Sequence, residues 1–93
     1  MGYTVHMTAA FRRDYKLAIR RGLPIEKLDE VIRQLAAGVT LDEQYHDHAL
    51  SGNFIGFREC HVAPNWLLVY YYTMGVCVLT LARTGTHSDI FGR

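Results

Sequence analysis

The stretch Trp66–Ala82 carries no charged side chain, and this limits what the chain can become. An uncharged run of that length either crosses a membrane or lies inside a protein. Three consecutive tyrosines (Tyr70, Tyr71, Tyr72) and the turn-forming Thr73-Met74-Gly75 interrupt it. They favour two strands joined by a turn over one spanning helix, so no membrane partner is expected. Trp66–Tyr72 is apolar on both faces and is expected as a central strand, with Val76–Ala82 returning antiparallel to it.

A strand buried on both faces needs cover, and the first half of the chain supplies some. Tyr3-Thr4-Val5-His6-Met7 alternates as a half-buried strand does. Thr8 can cap a helix that runs to about Arg21 and stops at Gly22, with Phe11, Tyr15, Ala18 and Ile19 on one apolar face. Pro24 suits the first turn of a second helix, which Gly38 ends; Ile25, Leu28, Val31, Ile32 and Leu35 repeat at helical spacing. Val39–Gly52 turns polar and reads as a loop, Phe54–Val62 as a further strand, and Arg83–Asp89 as a polar tail ahead of Ile90-Phe91. The order β-α-α-β-β-β predicts an α+β fold, a helical hairpin packed on an antiparallel sheet. At 93 residues the chain fits one domain, residues 1–93.

A net charge of +1 excludes a strongly basic nucleic-acid binder by total charge, yet the charge is unevenly placed. Seven of the ten basic residues lie between Arg12 and Arg33. Arg12, Lys16 and Arg20 fall along one stripe of the first helix, either a phosphate-holding surface or an ordinary solvated face. Cys60 and Cys77 are too few for a disulfide framework and sit in apolar runs, so both are expected as buried thiols in a reducing compartment. No secretory leader is read at the start, and a cytoplasmic protein is expected.

Five histidines are many for so short a chain, and His46, His48, His61 and His87 fall in or beside polar segments. Imidazole both takes and gives protons near neutrality. RNA strand cleavage needs that pair of roles, together with a cation for the charge that builds on the phosphoryl oxygens. Arg83 lies four residues before His87, at the end of the last expected strand. His46-Asp47-His48 with His61 or His87 could instead hold zinc, but the Cys-pair and His-Glu-x-x-His patterns are missing, and neither metal nor other cofactor is expected. Trp66 and the tyrosines could stack on bases or fill the core, and Phe91 could anchor the tail or offer a stacking surface.

Three segments carry a resemblance. They are His48-Ala49-Leu50-Ser51-Gly52; Gly56-Phe57-Arg58 followed by His61-Val62-Ala63-Pro64-Asn65-Trp66-Leu67-Leu68-Val69-Tyr70; and Leu81-Ala82-Arg83-Thr84-Gly85-Thr86-His87 closing on Phe91. The pattern resembles the YafQ toxins of the RelE/ParE toxin–antitoxin superfamily over nearly the whole chain. It implies the RelE fold and an endoribonuclease that cuts messenger RNA on the ribosome, restrained in a hetero-oligomer by a cognate antitoxin. By position it implies catalytic roles for His48, His61 and His87, Arg83 beside the scissile phosphate, and Phe91 as the C-terminal aromatic that meets substrate. On this account Arg12, Lys16 and Arg20 grip ribosomal RNA. One departure stands out: the family's aspartate before the tryptophan is Asn65 here, which can hold a hydrogen bond but cannot accept a proton usefully near neutrality. If that aspartate acts as a base, cleavage is slower here or Asp47 or His46 substitutes; if it only orients a neighbour, the change costs little, and this second case is expected because three histidines remain. Two other outcomes stay open, a non-catalytic relative that blocks a protein target as ParE toxins do, and a degenerate member that only binds an antitoxin or RNA.

Overall fold

The computed structural model describes residues 2–92. Strand β1 (Thr4–Met7) leads into helices α1 (Ala9–Arg20) and α2 (Ile25–Ala36). After a loop come β2 (His48–Ala49), β3 (Arg58–Ala63), β4 (Trp66–Thr73) and β5 (Val78–Gly85), and the short helix α3 (His87–Phe91) closes the described chain. Single 3₁₀ turns occupy Glu43–Tyr45, Gly52–Phe54 and Met74–Val76.

The helices start and stop where local chemistry directs. The Thr8 hydroxyl accepts from the Phe11 N–H at 3.0 Å and donates to the Ala82 carbonyl at 2.9 Å. One side chain thus caps α1 and ties it to β5. Gly22 leaves the helix at φ +76°, a left-handed turn that costs glycine little. The apolar stripe of α2 buries Leu28, Val31 and Leu35, while α1 buries Phe11 and Ala18. Ile19, expected on the buried face of α1, is 52% exposed because the stripe has rotated past the sheet at that last turn.

The five strands order as β1-β5-β4-β3-β2. The α+β fold with its helical hairpin is as expected, but the sheet is mixed, since β1 pairs parallel to β5 from Thr4↔Val78 to Met7↔Leu81. The hairpin returns the chain across one sheet face, so the four later strands form the antiparallel set and leave β1 an edge beside β5. Strand β4 lies at the centre, as its apolar pattern predicts, with every residue from Trp66 to Tyr70 buried. Trp66, Leu68 and Tyr70 join Phe11, Leu28, Val31, Leu35, Leu79 and Leu81 under the hairpin. Leu67 and Val69 face the other way, into a smaller core with Ile90, Leu50, Phe57, Ala82 and Phe91.

Other expectations need correction. The polar tail Arg83–Asp89 divides between β5, which runs to Gly85, and α3, which Thr86 and Asp89 open with a reciprocal capping box. Strand β3 begins only at Arg58, because the Gly52–Phe54 turn and Gly56 at φ +94° break the chain before it. Cys60 is buried in β3, and burial pushes its thiol up to about 12. Cys77 is neither buried nor in a strand: it is exposed in a left-handed turn at φ 53°.

Helix α3 is seated through Gly85. There φ is +152°, and an added Cβ would lie 2.9 Å from Asp89 Oδ2 and 3.0 Å from Asp89 Cβ. Gly85→Ala is therefore expected to destabilise the domain by about 1–3 kcal/mol in urea unfolding, through backbone strain and overpacking. It is also expected to broaden or shift the NMR resonances of residues 87–91 first.

Candidate active site

The register of β2 on β3 sets His48 opposite Glu59, while Glu59 and His61 pair with Val69 and Leu67 of β4. Cross-strand partners share a face. Leu67 and Val69 pack on Ile90 of α3, so His48, Glu59 and His61 look out on the side away from the helical hairpin. Helix α3 lies on that side and brings His87 and Phe91. These residues, with Leu50, Asn53 and Phe54, line one cleft of about 670 Å³, within the roughly 300–1,000 Å³ typical of small-molecule sites.

Glu59 is only 3% exposed. Its Oε1 lies 3.4 Å from His48 Nε2 and 3.8 Å from His61 Nε2. Its Oε2 is buried with no hydrogen-bond partner among the described residues. A buried carboxylate is costly unless partnered, and the two imidazoles are the partners it has here. The ring of His48 is itself held. Its Nδ1 is 2.7 Å from the His46 carbonyl, which can only accept, so Nδ1 carries a hydrogen and donates. That bond directs His48 Nε2 at Glu59 Oε1. His48, Glu59 and His61 thus form one cluster, with a single carboxylate oxygen facing two imidazoles.

The cleft also has an aromatic wall. Phe91 meets Phe54 edge-on at 4.9 Å between ring centres and lies 5.2 Å from the His87 ring. His46 stands edge-on to His61 at 5.5 Å. A second depression of about 700 Å³, lined by Lys27, Tyr45, His46, His61 and Pro64 among others, adjoins the cleft through His61.

The structure thus brings together four of the residues singled out from sequence, His48, His61, His87 and Phe91. Five others are not among those lining the cleft. Arg83 donates from Nε to Asp14 Oδ2 at 2.6 Å and from Nη2 to Asp14 Oδ1 at 3.2 Å, with a further contact of 3.3 Å to the Asp89 carbonyl. It ties α1 and α3 to β5. Asn65 is exposed in the β3–β4 turn. Arg12, Lys16 and Arg20 are exposed on α1, on the hairpin side, and no ion pair among the described residues engages them. Arg12 and Lys16 edge an apolar groove of about 480 Å³ floored by Val5, Phe11, Tyr15, Ile32 and Leu81. Asp47, a possible substitute for the missing aspartate, points to the hairpin side and is held by Arg58 and Tyr70.

Glu59 and Phe54 escaped the sequence reading. A carboxylate within an expected strand, two positions from His61, was the available signal, but only the β2–β3 register reveals its second imidazole. Among the described residues, no group of three or more His, Cys, Asp and Glu side chains is arranged to hold a metal ion. No helix among the described residues is long and apolar enough to cross a membrane.

Residues 3–92 match the family described as the bacterial toxin of type II toxin–antitoxin systems, YafQ. The mRNA interferase toxin YafQ of Escherichia coli K12 is 35% identical over 89 residues, which covers 95% of each chain. The crystal structure of YafQ from E. coli BL21(DE3) superimposes with a TM-score of 0.91 at 33% identity, covering 97% of this chain and 99% of that one. A chain from the E. coli DinJ–YafQ toxin–antitoxin complex gives a TM-score of 0.89 at 33% identity, covering 99% and 100%.

The seat of the cleft's α3 wall rests on a paired carboxylate. Arg21 beside Asp89, aided by the Thr86 N–H, holds the Asp89 carboxyl well below the usual carboxylate range. A lowered folded value stabilises α3 above the unfolded value of about 4, and that contribution is lost as pH falls through the folded value. On acidification the His87 and Phe91 NMR signals of Arg21→Ala are expected to collapse at a higher pH than those of the wild type.

Proposed function

Because this chain belongs to the YafQ family of type II toxin–antitoxin toxins, we propose that it is a metal-independent mRNA interferase acting on ribosome-bound messenger. The observation that carries this reading is the convergence of His48, His61 and His87 on one cleft with Glu59 buried beneath two of them. In the reaction a base removes the proton of a 2′-hydroxyl. That oxygen bonds to the adjacent phosphorus, the bond from phosphorus to the 5′-oxygen breaks, and an acid protonates the departing oxygen. The His48–Glu59–His61 unit can hold or release a proton at Nε2 of either ring. His87, on α3, offers a third imidazole from another wall. Between them the three rings divide the base, acid and phosphate-binding roles. Phe91 and Phe54 supply a face on which an unpaired base can stack.

Arg83 enters this scheme with a condition. Its Nε and Nη2 are engaged by Asp14, so it reaches phosphoryl oxygens only by exchanging that partner. With the pair intact it serves by holding α3, and hence His87, in place. Asn65, exposed in its turn, is assigned to orienting substrate by hydrogen bonding. No carboxylate base is needed at that position while three imidazoles share the cleft. As in the DinJ–YafQ complex, the chain is expected to form a hetero-oligomer with its own antitoxin, in the cytoplasm.

Replacing His48, His61 or His87 by alanine is expected to slow messenger cleavage about 10²-fold or more in a purified translation system. Cleavage that survives all three substitutions unchanged, with replication rather than messenger decay affected on expression, would favour a ParE-like protein blocker. Reversing the charges of Arg12, Lys16 and Arg20 together is expected to weaken sedimentation with ribosomes, most at low salt, with the gap to wild type narrowing as salt rises, while leaving the unfolding midpoint in place. Unaltered sedimentation removes the stripe from the scheme.

A further inference from the structure

We propose that Asp47 is a positioning residue, clamped beneath the sheet by Arg58 and Tyr70, that fixes the protonation geometry of His48 in the cleft. The inference rests on the nuclease reading above and concerns a residue that does not itself face the cleft.

Consecutive residues of an extended segment point to opposite sides. His48 faces the cleft, and its neighbour Asp47 turns to the hairpin side. There Arg58 Nη2 donates to Oδ2 at 3.0 Å and the Tyr70 hydroxyl donates to Oδ1. Both donors come from the two central partners of this edge, β3 and β4, and Tyr70 is only 1% exposed. The carboxylate is therefore held from two directions, by a half-buried guanidinium and a buried phenol.

The residue on the other side of Asp47 is under strain. His46 sits at φ 49°, ψ 42°, a left-handed conformation that costs a side-chain-bearing residue about 1–2 kcal/mol. Such a conformation persists only where the surroundings impose it. What it achieves is visible one step on: the His46 carbonyl is turned to accept from His48 Nδ1. That bond fixes the tautomer and directs Nε2 to Glu59. The chain of cause runs from the clamped Asp47 carboxylate, to the backbone at residues 46–48, to the proton on His48 Nδ1.

Holding the loop to the protein is a separate task. Leu41 is buried, Tyr45 packs on the main core, and β2 pairs with β3. Weakening the clamp should leave the loop attached and alter only the ring it carries.

The test uses Asp47→Asn and Tyr70→Phe, which keep volume and remove the charge or one hydroxyl. Single-turnover cleavage of ribosome-bound messenger is measured against protein concentration, alone and in a His48→Ala background, with ¹⁵N NMR of the histidine rings. A cleavage rate about tenfold or more lower at saturation is expected, with the half-saturating concentration unchanged. His48 should move from the Nδ1–H pattern toward the ordinary mixture of tautomers, while His87 keeps its own. In the His48→Ala background neither substitution should slow cleavage further. An equal loss in both backgrounds, or a His48 ring unaltered in both variants, overturns the proposal. If His48→Ala alone leaves cleavage intact, it is the nuclease role of His48 that fails, and the ring's tautomer then decides for or against the clamp. Should Asp47→Asn unfold, Tyr70→Phe carries the same comparison.

Discussion

A central strand buried on both faces governs this molecule. From Trp66 to Tyr70 no residue of β4 reaches solvent, so the sheet needs cover on two sides. The hairpin of α1 and α2 gives one side a broad apolar layer. The other side has only α3, the turn at Gly52–Phe54 and a few partly buried side chains around Leu67 and Val69. A chain this short cannot complete both layers. The incomplete second layer is the cleft.

That location sets the chemistry. A fully covered second face would demand apolar residues at Glu59 and His61, while an open one would leave them in water without consequence. Partial cover buries the Glu59 carboxylate but leaves His48 and His61 reachable, with one carboxylate oxygen 3.4 and 3.8 Å from the two rings. The alternation of β3 separates its two faces: Arg58, Cys60 and Val62 point toward the hairpin, Glu59 and His61 toward the cleft.

The two layers are held in relation by charge at their seam. Asp14 of α1 takes the Arg83 guanidinium and the Thr84 N–H, and Arg21 at the end of α1 reaches Asp89 of α3. Exposed ion pairs contribute little, but the Arg83–Asp14 pair is two-pronged and partly buried, where such geometry counts for more. It fastens the small helix that carries His87 and Phe91 to the large one. The Arg83 guanidinium, read from sequence as a phosphate ligand, is in the first instance part of that fastening.

Local patterns were legible in the chain itself because they depend on neighbours a few residues apart. Thr8 and Gly22 bracket α1, Pro24 and Gly38 bracket α2, and the unbroken apolar run of Trp66–Tyr72 announces the central strand. The histidines to watch were legible too, through their type and setting. Pairings between distant segments were not. Nothing near Thr4 states that it will lie parallel to Val78, nothing near Glu59 states that His48 will be its partner, and nothing near Arg83 names Asp14. Register and packing decide such matches, because hydrogen bonds and ion pairs form between whichever groups the folded layers bring within about 3 Å. The sequence by itself determined the two long helices, the central strand and the residue types available for chemistry, but not β2, read as loop, or α3, which rest on tertiary contacts. Only the tertiary structure decided which proton donors and acceptors meet, since that depends on distances no linear pattern encodes.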